Sequence, residues 1–251
     1  MPETGSETRW HRNIAALFVV LTVGLMLTGC RGPMSALEPA GQGAADIAWI
    51  TWVMIWGCLF FMLAMTVLWL HAVRRRSEEP VRMSDRGILV WGGVIVPTLT
   101  LLLLLIWGVR SGHSLLPIGE ADLEIHVTAH QWFWQFEYSG PDGETLETVD
   151  ELHLPAGAAI DIHVATADVI HSFWVPALGG KIDAIPGRVN TIRLRPEQAG
   201  QWRGQCAEFC GARHAHMAFE VTVHEPDDFQ SWLEALAAET AGSDNDDVTD
   251  R

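Results

Sequence analysis

A chain of 251 residues has room for one soluble domain of ordinary size together with membrane-spanning segments. Its 16 Lys and Arg against 31 Asp and Glu give a formal charge of −15. That balance argues against nucleic-acid binding and points to a basic partner or to simple solubility.

The first 29 residues have the form of a targeting signal. Arg9, His11 and Arg12 supply a positive start, residues 14–27 an apolar run, and Leu27-Thr28-Gly29-Cys30 a small-residue end. Those four residues resemble a bacterial lipobox, which makes Cys30 the expected site of lipidation and the first residue of the mature chain. An uncleaved anchor helix or an ordinary signal peptide is the alternative. A short extracytoplasmic segment, 30–45, follows. Residues 47–70 and 87–109 then carry no charge. Each is long enough to cross a hydrocarbon core of about 30 Å at about 1.5 Å per residue, so transmembrane helices are predicted over 46–72 and 87–110. Trp49, Trp52, Trp69, Trp91 and Trp107 lie near their ends, where interfacial aromatics belong. Pro97 is tolerable inside the second span, Cys58 reads as an inert thiol, and no ionisable residue sits mid-membrane to form a proton path. The loop between them, 73–86, holds Arg74, Arg75, Arg76, Arg82 and Arg86, which places it in the cytoplasm and residues 111–251 outside.

Beyond Pro117 the pattern shortens. Leu123, Ile125, Val127 and Ala129 alternate with polar residues, as on a half-buried strand, and 159–166, 190–194 and 218–223 behave similarly. Gly140-Pro141-Asp142-Gly143, Pro155-Ala156-Gly157 and Pro186-Gly187 mark turns between such runs. Several short strands at close spacing predict a β-sandwich or barrel. Phe229, Trp232, Leu233 and Leu236 fall at helical spacing, which predicts a closing helix over 226–239, and the acidic residues 240–251 read as a disordered tail.

The chemistry concentrates in one loop. Cys206, Cys210, His214 and Met217 are spaced four, four and three apart, and His171 lies upstream in Asp168-Val169-Ile170-His171. Thiolate, imidazole and thioether donors together select copper over hard cations, and the thioether argues against zinc. A single blue copper uses one Cys; two, four residues apart, can bridge two ions. The pattern therefore predicts a binuclear copper centre for electron transfer. A disulfide, or two buried thiols beside a core methionine, is the plainer alternative.

Five ordered segments carry a wider likeness: Ala129-His130-Gln131-Trp132-Phe133-Trp134, Glu151-Leu152-His153-Leu154-Pro155, the His171 segment, Lys181-Ile182-Asp183-Ala184-Ile185-Pro186-Gly187-Arg188, and the copper loop. Together they resemble cytochrome c oxidase subunit II, the copper-bearing subunit of haem-copper respiratory oxidases, over almost all of the chain after residue 40. The resemblance implies a membrane-anchored all-β protein: a two-helix transmembrane hairpin followed by a cupredoxin-like Greek-key sandwich over 111–225. It implies two copper ions bridged by Cys206 and Cys210, one completed by His171 and Met217, the other by His214 and the carbonyl of Glu208. The Glu208 carboxylate would hold a magnesium or manganese ion shared with subunit I. Trp132 would be where the electron enters from cytochrome c, and Asp183 and Arg188 would meet subunit I. The implied activity is that of a proton-translocating oxidoreductase whose oxygen chemistry belongs to subunit I. Subunit III, cytochrome c and membrane lipid are further partners, and the copper domain would face the periplasm from the bacterial inner membrane.

Trp132, Phe133, Trp134 and Phe136 read as an aromatic cluster on a strand, with Trp134 and Phe136 in the core and Trp132 at the surface. Glu137, Asp142, Glu144, Glu147, Asp150 and Glu151 are candidates for steering a basic donor. His126, His153, His163, His216 and His224 read as ordinary residues. Gly87-Ile88-Leu89-Val90-Trp91 lacks the carboxylate that many family members place before the second span, so no part in proton uptake is inferred. A quinol oxidase subunit would lack the copper ligands. A membrane-tethered copper-binding or delivery protein is the alternative from another class.

Overall fold

The computed structural model describes residues 17–18, 24, 32–74 and 84–249. Most of the targeting signal, Cys30 and most of the arginine-rich loop lie outside the described residues. Helix α1 (Gln42–Arg74) is followed by α2 (Asp85–Val90), a π-helical turn (Trp91–Ile95) and α3 (Val96–Gly112), which continue one another. The π turn has a local cause. Pro97 has no N–H, and its ring crowds the carbonyl of Gly93, so the preceding turn widens. Both helical stretches start before and end after the predicted spans, and Gln42–Arg74 and Arg86–Gly112 are each long and apolar enough to cross a membrane. Trp56, Phe60, Leu63, Leu101 and Leu103 are all more than half exposed on them, an arrangement that suits lipid and not water. The protein is membrane-anchored, with an extramembrane domain.

That domain has ten strands: β1 (Leu123–His130), β2 (Phe133–Ser139), β3 (Thr145–Val149), β4 (Glu151–Pro155), β5 (Ile160–Thr166), β6 (His171–Trp174), β7 (Lys181–Ala184), β8 (Asn190–Leu194), β9 (Gly200–Cys206) and β10 (Ala218–His224). They form two sheets, ordered β3-β2-β1-β5-β8 and β4-β10-β9-β6-β7. β1 pairs with β5, and β4 with β10, in parallel; the other pairs are antiparallel. These long-range neighbours make the cupredoxin-like Greek-key sandwich that the resemblance implies. The period-two pattern sets which face is inside: Ile125, Val127 and Ala129 of β1 and Trp134, Phe136 and Tyr138 of β2 are buried. Trp134 sits edge-on to Phe173 and Phe219, with ring centroids 5.8 Å and 5.6 Å away. Phe219 fills the space above Gly204, where an added Cβ would lie 2.1 Å from its Cζ, so β9 passes the core without a side chain at that point.

Two devices join the domain to its helices. Residues at and just before the start of α1 bond across the sandwich edge: Ala40 N–H donates to Ala177 O (2.8 Å), Glu197 N–H to Ala40 O (2.8 Å), and Gln42 N–H to Arg195 O (3.0 Å). After α3, the linker to β1 is fixed by Arg193 of β8. Its guanidinium donates to Ile118 O (2.6 Å) and Gly119 O (3.0 Å) and forms a two-pronged pair with Asp161 of β5 (2.7 and 2.8 Å). Both side chains are buried on what would otherwise be the outer face of the sheet.

Helix α4 (Pro226–Thr249) packs Phe229 and Leu233 against the domain. It runs past the end predicted at 239, and residues predicted as a disordered tail continue its backbone. No proline interrupts the helix there, and Thr240 Oγ1 back-bonds to Leu236 O at 2.9 Å.

Under α4 lies an imidazole pair. His153 Nδ1 and His224 Nε2 are 2.8 Å apart with the ring planes within 19° of parallel, and the Trp232 indole lies flat over His153 at 4.1 Å. Glu151 Oε2 is 3.9 Å from His153 Nε2, Tyr138 Oη accepts from His153 N–H, and Asp228 of α4 faces His224. Burial, then the charge of His224, pushes His153 down from 6.5 to about 4, and burial lowers His224 against the pull of Asp228. The folded state therefore disfavours the charged form of both imidazoles. The contribution of His153 to stability is fully present above 6.5 and is lost as the pH falls toward 4, and the lowered His224 acts in the same direction. Hydrogen exchange of amides 229–236, corrected for intrinsic rates, should quicken across that interval, and His153→Phe should flatten the response. A pH-independent protection in the unaltered protein would contradict this assignment.

Candidate metal centre

Strand pairing builds the site. β6 and β9 are neighbours with Phe173 opposite Cys206, which sets His171 at the start of β6 beside the end of β9. The chain then loops from Ala207 to a 3₁₀ turn (His214–His216) and returns as β10. Cys206 N–H donates to Met217 O (2.8 Å) and Ala207 N–H to Ser172 O (2.9 Å), pinning both ends of the loop.

Five side chains predicted as ligands converge. Cys206 Sγ lies 3.8 Å from Cys210 Sγ and 3.8 Å from His171 Nδ1. Cys210 Sγ lies 3.7 Å from His214 Nδ1 and 3.7 Å from Met217 Sδ. The carbonyl of Glu208 is 3.2 Å from Cys206 Sγ. Both cysteines are free thiols, which removes the disulfide alternative. His171, Cys206, Cys210 and Met217 are buried, His214 is half-buried, and the Glu208 side chain is exposed. His171, Cys206 and Cys210 present their donor atoms within 4.8 Å of one another, close enough to hold a metal ion.

The donor set fits copper on physical grounds. Burial, together with the adjacent Cys206, pushes the Cys210 thiol up to about 12. Two thiolates in so dry a pocket need cations among them, and soft sulfur and imidazole donors choose copper. Around the donors, Asp168 Oδ1 lies 2.8 Å from His171 Nε2, which leaves Nδ1 facing the thiols. Burial works to raise the Asp168 carboxyl, but hydrogen bonds from His171 and from the amides of Val169 and Gln131 outweigh it and hold the group below the usual carboxylate range. The sequence placed Asp168 in the ligand segment without a role; a carboxylate three residues before a candidate ligand histidine was the available signal.

Comparison with known proteins agrees with the geometry. The family model described as "Cytochrome C oxidase subunit II, periplasmic domain" matches residues 140–224. "Probable cytochrome c oxidase subunit 2" of Rickettsia bellii is 31% identical over 68% of this chain and 70% of its own length. The chain belongs to the cytochrome c oxidase subunit II family. "Cytochrome c oxidase subunit 2" of Alkalihalophilus pseudofirmus is 32% identical over 86% of this chain, which spans 66% of that protein's length. The crystal structure of the periplasmic domain of subunit II of cytochrome oxidase from Bradyrhizobium japonicum is 36% identical, with 49% of this chain and 98% of that chain covered and a TM-score of 0.45.

Within the subunit II fold the remaining candidates separate. Trp132 is not on a strand: residues 131–132 form the turn between β1 and β2, and its indole is half-buried against the metal loop instead of standing free. The two-residue turn carries no Gly, Asn or Asp, so the aromatic run reads as unbroken strand. Trp134 and Phe136 are core, as expected. Asp183 pairs with Ser172, the neighbour of His171, across β6 and β7, and Asp183 and Arg188 line a cleft with Lys181, Ile182, Ile185 and Asn190. Asp150 leaves the set of steering carboxylates: it sits at the corner between β3 and β4 with φ 56°, and its Oδ1 accepts the Trp134 N–H at 2.8 Å. His216 is exposed on the 3₁₀ turn, and His126 and His163 stack on the outer face of β1 and β5, 4.9 Å apart.

Proposed function

We propose that this chain is the electron-accepting subunit of a cytochrome c oxidase, with Cys206 and Cys210 bridging two coppers, His171 and Met217 completing one, and His214 and the Glu208 carbonyl the other. When bound, the copper pair supplies one-electron redox chemistry between reduced cytochrome c and the haem of subunit I. The observation that carries the reading is the buried convergence of two free thiols, two imidazoles and a thioether in a chain of this family. The protein's part is to hold these donors rigidly, to exclude water, and to keep His171 in one tautomer through Asp168. Fixed donors leave little to rearrange as charge changes, which is what a fast relay requires.

Trp132 is the residue at which the electron enters, and Glu137, Asp142, Glu144, Glu147 and Glu151 steer a basic donor toward it. The exposed Glu208 carboxylate offers a hard oxygen ligand for magnesium or manganese at the boundary with subunit I, and the Asp183–Arg188 cleft meets that same subunit. Subunit III completes the complex. Oxygen is reduced to water in subunit I. The domain faces the periplasm of a bacterial inner membrane, and Cys30 carries lipid.

Electron paramagnetic resonance of the full chain, purified in detergent and loaded with copper, tests the assignment. The expected spectrum shows hyperfine structure from one electron shared equally by two copper nuclei. A single-copper spectrum, or copper lost readily to a mild chelator, would favour the copper-delivery alternative.

A further inference from the structure

The indole of Trp132 has no polar tether of its own. Its Nε1 is buried and meets no hydrogen-bond acceptor among the described residues. Yet the ring lies close over the metal loop: a Cβ added to Gly211 would sit 3.2 Å from Cζ2 and 3.3 Å from Nε1 of Trp132. Gly211, at φ +123°, thus supplies both a backbone conformation and a gap that a side chain would close. Something else must fix the ring there.

The residue before it does so at both ends. The backbone N–H of Gln131 donates to Asp168 Oδ2 at 2.6 Å, and the other oxygen of that carboxylate pairs with His171 Nε2 at 2.8 Å. The side-chain Nε2 of Gln131 donates to the carbonyl of Cys210 at 2.7 Å. One residue therefore bonds to the group that orients one ligand and to the backbone of another. The same Nε2 would be 3.1 Å from a Cβ at Gly211, so it and the indole cover one face of the Cys210–Gly211 peptide side by side.

We propose that Gln131 is a positioning residue: a strut between the β1–β2 turn and the Cys210 carbonyl that holds the Trp132 indole at a fixed distance from the metal ligands. The strut rests on the reading of Trp132 as the point where the electron enters. Its consequence is that the turn moves only if the ligand loop moves with it, so the gap the electron crosses stays constant. Electron transfer across a gap falls steeply with distance, which makes such a brace worth building.

The test uses the full chain in detergent with tryptophan replaced by 5-fluorotryptophan, the Trp132 resonance being assigned by its loss in Trp132→Phe. Gln131→Met keeps the length and bulk of the side chain and removes the donor. In this variant the binuclear copper spectrum should be unchanged. The Trp132 fluorine resonance should move in both the metal-free and the copper-loaded protein. Electron uptake from reduced cytochrome c should be slower than in the unaltered protein. An unmoved resonance overturns the strut. An altered copper spectrum also overturns it, by making Gln131 a shaper of the ligand loop instead. If the resonance moves while Trp132→Phe accepts electrons as fast as the unaltered protein, the strut stands and the role given to Trp132 falls.

Discussion

Cys206→Ser should abolish the binuclear copper spectrum and leave the domain folded. Serine is close to cysteine in size, and the backbone bond from residue 206 to Met217 O does not involve the side chain. The loss is chemical: an alkoxide does not form at neutral pH, so the pair of bridging donors becomes a single thiol, Cys210, with His214 and Met217 near it. Copper affinity should fall well beyond the ~10–100-fold that follows loss of an outer hydrogen-bond partner. Asp168→Asn supplies that milder benchmark in the same pocket, since the amide keeps the shape but not the charge facing His171 Nε2. Copper titration followed by absorbance, with circular dichroism to confirm the fold, separates the two. A serine variant that still binds two coppers per chain would remove Cys206 from the bridge.

The second large effect lies far from copper. Arg193→Ala should destabilise the domain by about 3–5 kcal/mol, the range for removing one partner of a buried ion pair. The substitution strands the Asp161 carboxylate and two carbonyls, Ile118 O and Gly119 O, that have their donors in Arg193. The expected result is a lower midpoint of thermal unfolding and faster protease cleavage within 116–122, with the copper spectrum retained below the transition. The double change Arg193→Met with Asp161→Leu should recover much of the loss, because it removes the stranded charge along with its partner. If the single variant unfolded at the temperature of the unaltered protein, the clamp would not be holding the linker.

Much of this architecture was legible in residue order. The alternation of Leu123, Ile125, Val127 and Ala129 fixed both β1 and its buried face, and β8 and β10 followed from the same reasoning. The loop ligands were legible because their spacing and chemistry are joint requirements, and His171 because it stands in a segment of the same likeness. What escaped depends on contacts distant in sequence. β9 shows little hydrophobic pattern because, beyond Trp202, its inward positions are Gly204 and Cys206, suited to close approach and metal chemistry instead of bulk. Arg193 has the look of an outward strand residue; its burial is created by the linker at 118–119, which folds over it from another part of the chain. His153 and His224 read as ordinary because nothing in either neighbourhood announces that β4 and β10 run side by side.

The short arm ahead of α1 constrains how the chain is threaded. Ala40 is made before both hydrophobic helices, and its hydrogen-bond partners at Ala177 and Glu197 are made after them. Those bonds can close only if the two stretches emerge into the same aqueous compartment. The polypeptide must then traverse the bilayer an even number of times between them, whatever the arginines of the intervening loop dictate. A shared compartment for the two ends is thereby a condition of folding, and a chain with one span left out of the bilayer could not finish its own domain.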